Sequence, residues 1–294
     1  MNILVTGKNG QVGWELTRTL ATLGNVTALG RKDMDLSNPD SIRTAIRMTS
    51  PSIIVNAAAY TAVDRAESEP HLAMAVNGVA PGIIAEEAAR ISALLVHYST
   101  DYIFDGAKDG PYTEDDPPNP INTYGKTKLA GEDAVRSSGC NHLIFRTSWV
   151  YGARGANFLL TMLRLLRERD SLNIVDDQKG APTWSRMIAE ATSQTLSKFI
   201  RMDGEFVFPA GYNGLYHLSA GGATTWCGFA TAISNAMGPG GACKITPIPS
   251  EDYRCAAARP KNSILSNRRL FKKFGIRMPE WETQLGLCME ELTY

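Results

Sequence analysis

Tyr124 and Lys128 form the acid–base pair that the sequence suggests most directly. They are four residues apart in a predicted helix from about Asn122 to Ser138, so they share one face of it. A phenol titrates near pH ~10, and a neighbouring positive charge lowers that pKa. The pair could then give a proton to a carbonyl oxygen near neutral pH. A surface tyrosine and lysine on an amphipathic helix have the same spacing, so the interpretation needs support from elsewhere in the chain.

A glycine-rich turn near the N-terminus indicates a cofactor site. Asn2 to Thr6 is typical of a buried strand, and an amphipathic helix to about Leu23 follows a turn that contains Gly7, Gly10 and Gly13. In such a turn the first glycine permits the sharp bend, the second admits a pyrophosphate, and the third lets the helix pack closely on the strand. The helix N-terminus favours the phosphate charge. The alternative is an ordinary glycine turn.

The end of the second predicted strand, Val26 to Leu29, bears on the choice of cofactor. A site selective for NAD carries an acid there, which binds the ribose hydroxyls. This chain has Gly30, Arg31 and Lys32, which offer positive charge to a 2′-phosphate or are simply solvated turn residues. We predict that NADPH is used at least as well as NADH, with both accepted. Asp35 and Leu36 are expected to border the adenine.

Polar and small residues follow the next predicted strands. Ile53 to Asn56 leads into Ala57 to Thr61, and Leu94 to Tyr98 leads into Ser99 to Tyr102. Ligands bind at the carboxyl ends of strands in a doubly wound sheet, so Thr100 is a candidate third hydroxyl as well as a candidate strand-end cap. With a fifth strand at His142 to Arg146, the alternation of strands and helices predicts an α/β fold, a Rossmann-like doubly wound parallel sheet.

The pattern becomes less regular after Gly152. We expect residues 1–152 to form the dinucleotide-binding domain, to which later segments could return. Residues 153–294 should form mainly a smaller C-terminal α/β lobe that binds substrate over the strand ends. A strand from Leu215 to Leu218 is assigned to that lobe, and the glycine-rich Met237 to Gly241 is expected to be a surface loop.

Composition narrows the class of protein. The chain has 294 residues with 30 basic and 30 acidic side chains, which gives no reason to expect nucleic acid or an anionic membrane as a partner. The longest apolar stretch, Ile53 to Val63, is too short to span a bilayer, and no signal peptide is evident. Five scattered cysteines without a C-x-x-C pair fit reduced thiols. We therefore expect a cytoplasmic protein.

Together, the glycine turn, Asn56 to Ala59, Ser99 to Asp101, and Tyr124 with Lys128 resemble the extended short-chain dehydrogenase/reductase family. The resemblance covers nearly the whole chain and is closest to the reductases of dTDP-linked 4-keto sugars. Its specific segments are Gly10 to Gly13, Asn56 to Glu69, His97 to Phe104, Tyr124 to Glu132, Arg146 to Tyr151, Asp177 to Thr183 and Arg259 to Ser263.

The resemblance implies NAD(P)H-dependent reduction of dTDP-4-dehydro-β-L-rhamnose to dTDP-β-L-rhamnose, the last step of dTDP-L-rhamnose biosynthesis. Tyr124 would protonate the sugar carbonyl oxygen, Lys128 would hold the nicotinamide ribose and tune Tyr124, and Thr100 would hydrogen-bond the substrate oxygen. The implied cofactor contacts are Gly10, Gln11, Val12, Asp35, Leu36, Ala58, Ala59 and Thr61. The implied contacts to the sugar nucleotide are Asp101, Tyr102 and Trp149.

Some members of the family bind Mg²⁺ at a dimer contact through three glutamates. Glu15 and Glu291 match two of those positions, but the middle position is Arg186. We therefore expect no bound metal, while a homodimer remains compatible with the resemblance.

Three alternatives stay open at this point. A related 4-ketoreductase or epimerase would share these motifs, and an epimerase would keep its nicotinamide tightly bound. A 4,6-dehydratase is disfavoured because it would carry a glutamate where this chain has Tyr102. A non-catalytic regulatory subunit on the same scaffold tends to lack the tyrosine or the lysine, and both are present here.

Overall fold

The computed structural model describes residues 1–238 and 243–292, so the predicted loop from Met237 to Gly241 lies largely outside the described residues. In chain order, the strands are β1 (Asn2–Thr6), β2 (Asn25–Leu29), β3 (Ile53–Asn56), β4 (Leu94–Thr100), β5 (Asn141–Thr147), β6 (Val150–Tyr151), β7 (Ser171–Val175), β8 (Lys179–Gly180), β9 (Thr183–Trp184), β10 (Gly214–His217), β11 (Thr224–Thr225) and β12 (Lys244–Ile248). The α-helices are α1 (Gln11–Thr19), α2 (Pro39–Thr49), α3 (Val63–Ser68), α4 (Pro70–Met74), α5 (Ala80–Arg90), α6 (Thr123–Ser137), α7 (Phe158–Glu168), α8 (Ser185–Ser197), α9 (Trp226–Ala236), α10 (Arg268–Phe274) and α11 (Trp281–Leu292).

The central sheet has six parallel strands in the order β10-β5-β4-β3-β1-β2. From β1 the chain proceeds outward to β2, and then crosses back to build β3, β4 and β5 on the other side. The order therefore reverses between β1 and β3, where a doubly wound sheet opens a crevice at its carboxyl edge. The predicted α/β class with a doubly wound parallel sheet is confirmed.

The strand expected near Leu215 does not lie in the C-terminal lobe. It is β10, and it extends the central sheet by pairing with β5 through Leu215 opposite Ile144. Helix α8, also from the second half of the chain, contributes Ile188 and Leu196 to the core on one face of this sheet. The sheet thus draws on residues beyond 152, and the position of a domain boundary stays a prediction.

Alternate residues of each central strand enter two different cores, because successive side chains of a strand point to opposite faces. Ile3 and Val5 of β1 belong to the core shared with α1 and α8. Leu4 of β1 and Ile54 of β3 belong to the core shared with α2 and α5. Each such side chain is fully buried, which contributes about 1.5–3 kcal/mol per residue. Helices on both faces fix the strands and therefore the edge where they end.

Between β3 and β4, the helical segment from α4 to α5 is interrupted by a π-helical turn, Ala75–Val79. This turn contains Asn77, whose side chain accepts from the Tyr60 N–H (2.8 Å) and donates to the Tyr60 carbonyl (2.9 Å). The irregular turn, a feature often found at functional sites, thereby fixes the segment that follows β3. That segment forms one wall of the cleft described below.

A third core lies in the C-terminal half and includes Tyr151, Trp184, Phe229 and Trp281. Next to it, β7 and β12 form a two-stranded parallel sheet. Within the described residues, no helix is long and apolar enough to cross a membrane.

A buried ion pair joins α6 to the central sheet. Arg146 of β5 donates from Nε and Nη2 to the two carboxylate oxygens of Glu132 on α6, at 2.9 and 2.7 Å. Both side chains are almost completely excluded from water, with exposed fractions of 4% and 0%. Removing one partner would strand the other as an unpaired buried charge.

We expect Glu132→Gln to destabilise the fold by about 3–5 kcal/mol, the usual result of breaking a buried ion pair. The measurement is the free energy of unfolding in urea. A matched control is Glu168→Gln, which breaks an exposed pair of the same length, Arg164 Nη1 to Glu168 Oε2 at 2.7 Å. The exposed variant should change the unfolding free energy far less, and equal effects would contradict the role given to the buried pair.

Candidate active site

The glycine turn after β1 has the close backbone approach that the sequence predicts. Gly7 has a φ of +74°, and a Cβ atom there would be 3.0 Å from the backbone of Ala58. A Cβ atom on Gly13 would be 2.1 Å from the carbonyl oxygen of Gly7. Helix α1 can therefore begin directly against β1, and its first N–H groups have no side-chain cap. Uncapped N–H groups at a helix N-terminus favour a phosphate.

A cleft of about 890 Å³ runs along the carboxyl edge of the sheet, from this turn to α6. Every residue predicted to touch cofactor or substrate lines it except Gly13, which lies beneath the turn. The lining residues from that set are Gly7, Gly10, Gln11, Val12, Arg31, Asp35, Leu36, Ala58, Ala59, Thr61, Thr100, Asp101, Tyr102, Tyr124, Lys128 and Trp149.

The first turn of α6 is held tightly in place. The Asn122 side chain accepts from the Gly125 N–H (2.8 Å) and donates to the Ala258 carbonyl (2.8 Å). A Cβ atom on Gly125 would be 2.1 Å from the Tyr102 carbonyl oxygen, so only glycine allows the helix to lie this close to the segment after β4. This packing places the Tyr124 phenol within hydrogen-bonding reach of Thr100.

Thr100 ends β4 and lines the cleft. Its hydroxyl accepts from the Tyr102 N–H (3.1 Å), which caps the strand end, and donates to Asp101 Oδ1 (3.0 Å). It also bonds the Tyr124 phenol. The three residues predicted to be catalytic therefore all line this cleft, and two of them, Thr100 and Tyr124, are in contact.

The environment of Tyr124 differs from the expectation that Lys128 would lower its pKa. Burial raises the pKa of the phenol to about 12; the hydrogen bond with Thr100 opposes that rise, and the nearby Asp101 adds to it. The Lys128 ammonium instead donates to the Tyr98 carbonyl at 2.6 Å. In the protein alone, Tyr124 is consequently a protonated acid at neutral pH.

Lys128 is buried, with an exposed fraction of 2%. Burial lowers its pKa to about 8, and the carboxylate of Glu132, one turn further along α6, opposes that shift. The ammonium is therefore still mostly charged at neutral pH.

Asp101 is a buried carboxylate beside Thr100 and Tyr124. It accepts from Ser148 Oγ (2.9 Å) and from Thr100. Burial raises its pKa to about 6, and the hydrogen bonds from Ser263, Ser148 and Thr100 oppose that rise. Its negative charge at neutral pH disfavours a phenolate at Tyr124 and so helps to keep the proton there.

Tyr102 stands edge-on to Tyr124, with ring centroids 6.0 Å apart. Its hydroxyl bonds Arg259, and burial raises its pKa. Arg259 in turn pairs with Asp64, Nη2 to Oδ2 at 2.7 Å. The contacts of Arg259 were not predicted from the sequence, because Asp64, Tyr102 and Arg259 are too far apart in the chain to give a local pattern.

Trp149 and Trp226 form a stacked pair in the cleft wall, with centroids 3.6 Å apart and planes 3° from parallel. Trp149 has a φ of +46°, a left-handed conformation that is costly for a side chain of this size. Its indole ring lies against Gly180, where a Cβ atom would be 2.4 Å from Trp149 Cε2. Trp226 was missed in the sequence because a single tryptophan at a helix start carries no functional signal.

An acid, Asp33, follows Arg31 and Lys32 in the turn after β2. Asp33 accepts from the Gly30 N–H at 2.9 Å and from Lys8 Nζ at 2.6 Å. These two contacts hold the pKa of Asp33 below its usual range. The turn after β2 therefore presents both signs of charge.

The residues present do not fit the implied Mg²⁺ site. Arg186 lies between the two glutamates, with its Nε 3.5 Å from Glu15 Oε2 and its Nη2 3.4 Å from Glu291 Oε1. The guanidinium thus supplies the positive charge that a metal would bring. Within residues 1–238 and 243–292, no group of three or more His, Cys, Asp or Glu side chains could hold a metal ion.

Comparison with known proteins gives the family. A family model described as "RmlD substrate binding domain" matches residues 1–294. A dTDP-4-dehydrorhamnose reductase from Burkholderia thailandensis is 50% identical over 298 residues, which cover 99% of each chain. The chain belongs to the dTDP-4-dehydrorhamnose reductase family. The resemblance stated from its motifs is confirmed.

Solved members of the dTDP-4-dehydrorhamnose reductase family have the same fold throughout. A structure from Clostridium acetobutylicum aligns with a TM-score of 0.91 and 34% identity over 100% of both chains. A structure from Bacillus anthracis, in complex with NADP, aligns with a TM-score of 0.89 and 33% identity over 99% of both chains. The likeness therefore includes the C-terminal half as well as the sheet.

The lowered pKa of Lys128 predicts a pH-dependent stability. The group has a pKa of about 8 when folded and 10.5 ordinarily, so between these values the unfolded chain binds more protons and stability rises with pH. The full difference corresponds to about 3 kcal/mol. The unfolding free energy of the wild type, relative to Lys128→Met, should increase by a value of that order between pH 8 and 10.5.

Urea unfolding without added nucleotide measures this difference at each pH. Lys126→Met is the matched control, because its side chain is exposed on the same helix and it keeps Lys128. It should keep the pH dependence of the wild type. A constant difference between wild type and Lys128→Met across this range would contradict the buried position of the ammonium.

The contacts of Arg186 predict that Mg²⁺ does not stabilise the wild type. A hard cation needs several oxygen ligands, and the guanidinium already occupies the two carboxylates. Arg186→Glu would place three carboxylates together and should gain a rise in Tm with added Mg²⁺. An Mg²⁺-dependent rise in the Tm of the wild type would show that Arg186 does not exclude the metal.

Proposed function

We propose that this protein reduces the 4-keto group of dTDP-4-dehydro-β-L-rhamnose with NADPH, or with NADH, to give dTDP-β-L-rhamnose. The observation that carries the proposal is the meeting of Tyr124, Thr100 and Lys128 in a cleft that also holds the glycine turn. The relatives named dTDP-4-dehydrorhamnose reductase support the choice of substrate. No observation favours the epimerase or the regulatory subunit over this reaction.

The cleft suits a nicotinamide dinucleotide. The pyrophosphate would lie on the glycine turn and the N-terminus of α1, and the adenosine would lie toward Asp35 and Leu36. Ala58, Ala59 and Thr61 leave room for a flat ligand on the wall after β3. The related Bacillus anthracis structure in complex with NADP supports this assignment. When bound, the cofactor supplies the hydride that adds to C4 of the sugar.

Tyr124 is the proton donor in this proposal. Negative charge builds on the C4 oxygen during reduction, and the phenol delivers its proton there. The single Thr100 hydroxyl proton, which goes to Asp101 in the free protein, would turn to the C4 oxygen as a second hydrogen bond. A pKa of about 12 keeps the proton on Tyr124 until that charge develops. Hydrogen-bond donors that already point at the oxygen where charge develops can lower the activation barrier of the reduction by several kcal/mol.

The charges of Lys128 and Asp101 influence how readily Tyr124 gives up its phenol proton. The Lys128 ammonium lies on the same face of α6 as Tyr124 and would stabilise the phenolate once the proton has left. It would also hold the nicotinamide ribose. The negative charge of Asp101 favours the protonated phenol before reaction, and the carboxylate could also accept from a sugar hydroxyl.

The sugar nucleotide would lie against Asp101, Tyr102 and Trp149, with Trp226 extending the aromatic surface. Association into a homodimer and a cytoplasmic location stay predictions from the sequence, as does the absence of nucleic acid and membrane partners.

Tyr124→Phe keeps the aromatic ring and removes the proton. It should lower kcat by about 10²–10⁴-fold, the usual effect of losing a general acid, with little change in cofactor affinity. The assay supplies dTDP-4-dehydro-L-rhamnose and NADPH and follows the loss of reduced-nicotinamide absorbance together with the sugar product. Product should appear in equal amount to the NADPH consumed.

Tyr216→Phe is the matched control, because that hydroxyl donates to the Tyr212 carbonyl (2.9 Å) and lies outside the cleft. It should keep the wild-type kcat. Retention of most activity by Tyr124→Phe would mean that the proton comes from another group. A product formed without consumption of NADPH would indicate an epimerase instead.

A further inference from the structure

A second cavity, of about 570 Å³, lies beside the cleft at the ends of β1 and β2. It shares Gly30, Arg31 and Asp35 with the cleft and is otherwise lined by Lys8, Asn9, Lys32 and Asp33. In a dinucleotide-binding sheet, the adenosine ribose lies next to the end of the second strand. The 2′-position of the cofactor would therefore face this cavity.

Lys8 and Asp33 form an ion pair across the cavity. Lys8 Nζ donates to Asp33 Oδ2 at 2.6 Å, and the same oxygen accepts from the Gly30 N–H at 2.9 Å. The lysine stem crosses Gly30 closely, because a Cβ atom on that glycine would be 3.3 Å from Lys8 Cε. The two side chains are 39% and 41% exposed, so a ligand can reach both.

The two forms of the cofactor make opposite demands on this pair. The 2′-hydroxyl of NADH is a donor that suits a carboxylate, whereas the 2′-phosphate of NADPH needs a cation and is repelled by a carboxylate. Lys8 is fixed to the end of β2 through its backbone N–H, which donates to the Leu29 carbonyl at 3.2 Å. Arg31 and Lys32 have no such anchor to the glycine turn among the bonds described, and both are exposed.

We propose that the Lys8–Asp33 pair sets the preference between NADPH and NADH. Lys8 is the cation that binds the 2′-phosphate, and Asp33 competes with that phosphate for the same ammonium. The competition lowers the advantage of NADPH and lets the site accept NADH. This inference rests on the proposed function only for the class of cofactor, and it does not depend on the sugar.

The test uses two nucleotides that differ only in the 2′-phosphate, namely adenosine 2′,5′-bisphosphate and AMP. Calorimetry gives the Kd of each for wild type, Lys8→Met, Asp33→Asn and the double variant. One partly exposed charge contact changes affinity by about fivefold. Lys8→Met should weaken the bisphosphate by about that factor, and Asp33→Asn should tighten it by a similar factor, with much smaller changes for AMP.

The double variant separates competition from a general effect of charge. If Asp33 acts by holding Lys8, Asp33→Asn should bring little gain in bisphosphate affinity once Lys8 is methionine. Asparagine can still accept from the Gly30 N–H, so the turn keeps its internal bond. Lys272→Met and Asp109→Asn, both exposed and outside the two cavities, are the charge controls and should leave both Kd values unchanged.

Three results would overturn the inference. An unchanged ratio of the two Kd values in Lys8→Met and Asp33→Asn would do so while leaving the proposed function intact. The inference would also be overturned if the ratio of the two Kd values changed when Arg31 and Lys32 were replaced by alanine but did not change in Lys8→Met. If the wild type bound neither nucleotide, the assignment of a nicotinamide dinucleotide cofactor would be contradicted, and this inference would fail as well.

Discussion

Burial of charge between α6 and the sheet is the constraint on which the rest of this protein depends. Lys128 and Arg146 are both buried cations, and the carboxylate of Glu132 acts on both of them. It forms an ion pair with Arg146, and its charge also favours the protonated form of Lys128. Arg146 is paired with Glu132 at both oxygens, while Lys128 relies on one backbone carbonyl and on the more distant charge of Glu132. These contacts hold α6 against β4 and β5.

That fixed position determines the acid–base properties of the cleft. Because α6 lies so close to the segment after β4, Tyr124 meets Thr100 and the charge of Asp101. Each group alone would have its ordinary pKa in water, and burial together with the neighbouring charges and hydrogen bonds moves the pKa values in the protein. A lysine that loses its proton more easily thus stands one helical turn from a phenol that keeps its proton more firmly.

The sequence was sufficient to predict the features that depend on local pattern. The glycine turn, the strand ends and the spacing of Tyr124 and Lys128 each follow from a few adjacent residues, and the central strands were placed within a few residues. The sequence could not reveal that β10 joins the sheet, because pairing with β5 joins segments about 70 residues apart. Nor could it reveal the raised pKa of Tyr124, which comes from burial, or the bond between Lys8 and Asp33.

The stacked indoles of Trp149 and Trp226 depend on contacts between residues far apart in the chain, and this dependence limits how the cleft can evolve. Trp149 adopts a left-handed backbone conformation that suits glycine. Its ring stacks on Trp226 and packs against Gly180, where there is no room for a side chain. Any side chain at position 180 would displace the ring, and loss of Trp226 would leave the costly conformation without its support. Mutations that reshape this wall must therefore change several positions together. A lineage that adapts to a different sugar would find this surface harder to alter step by step than the exposed turn after β2.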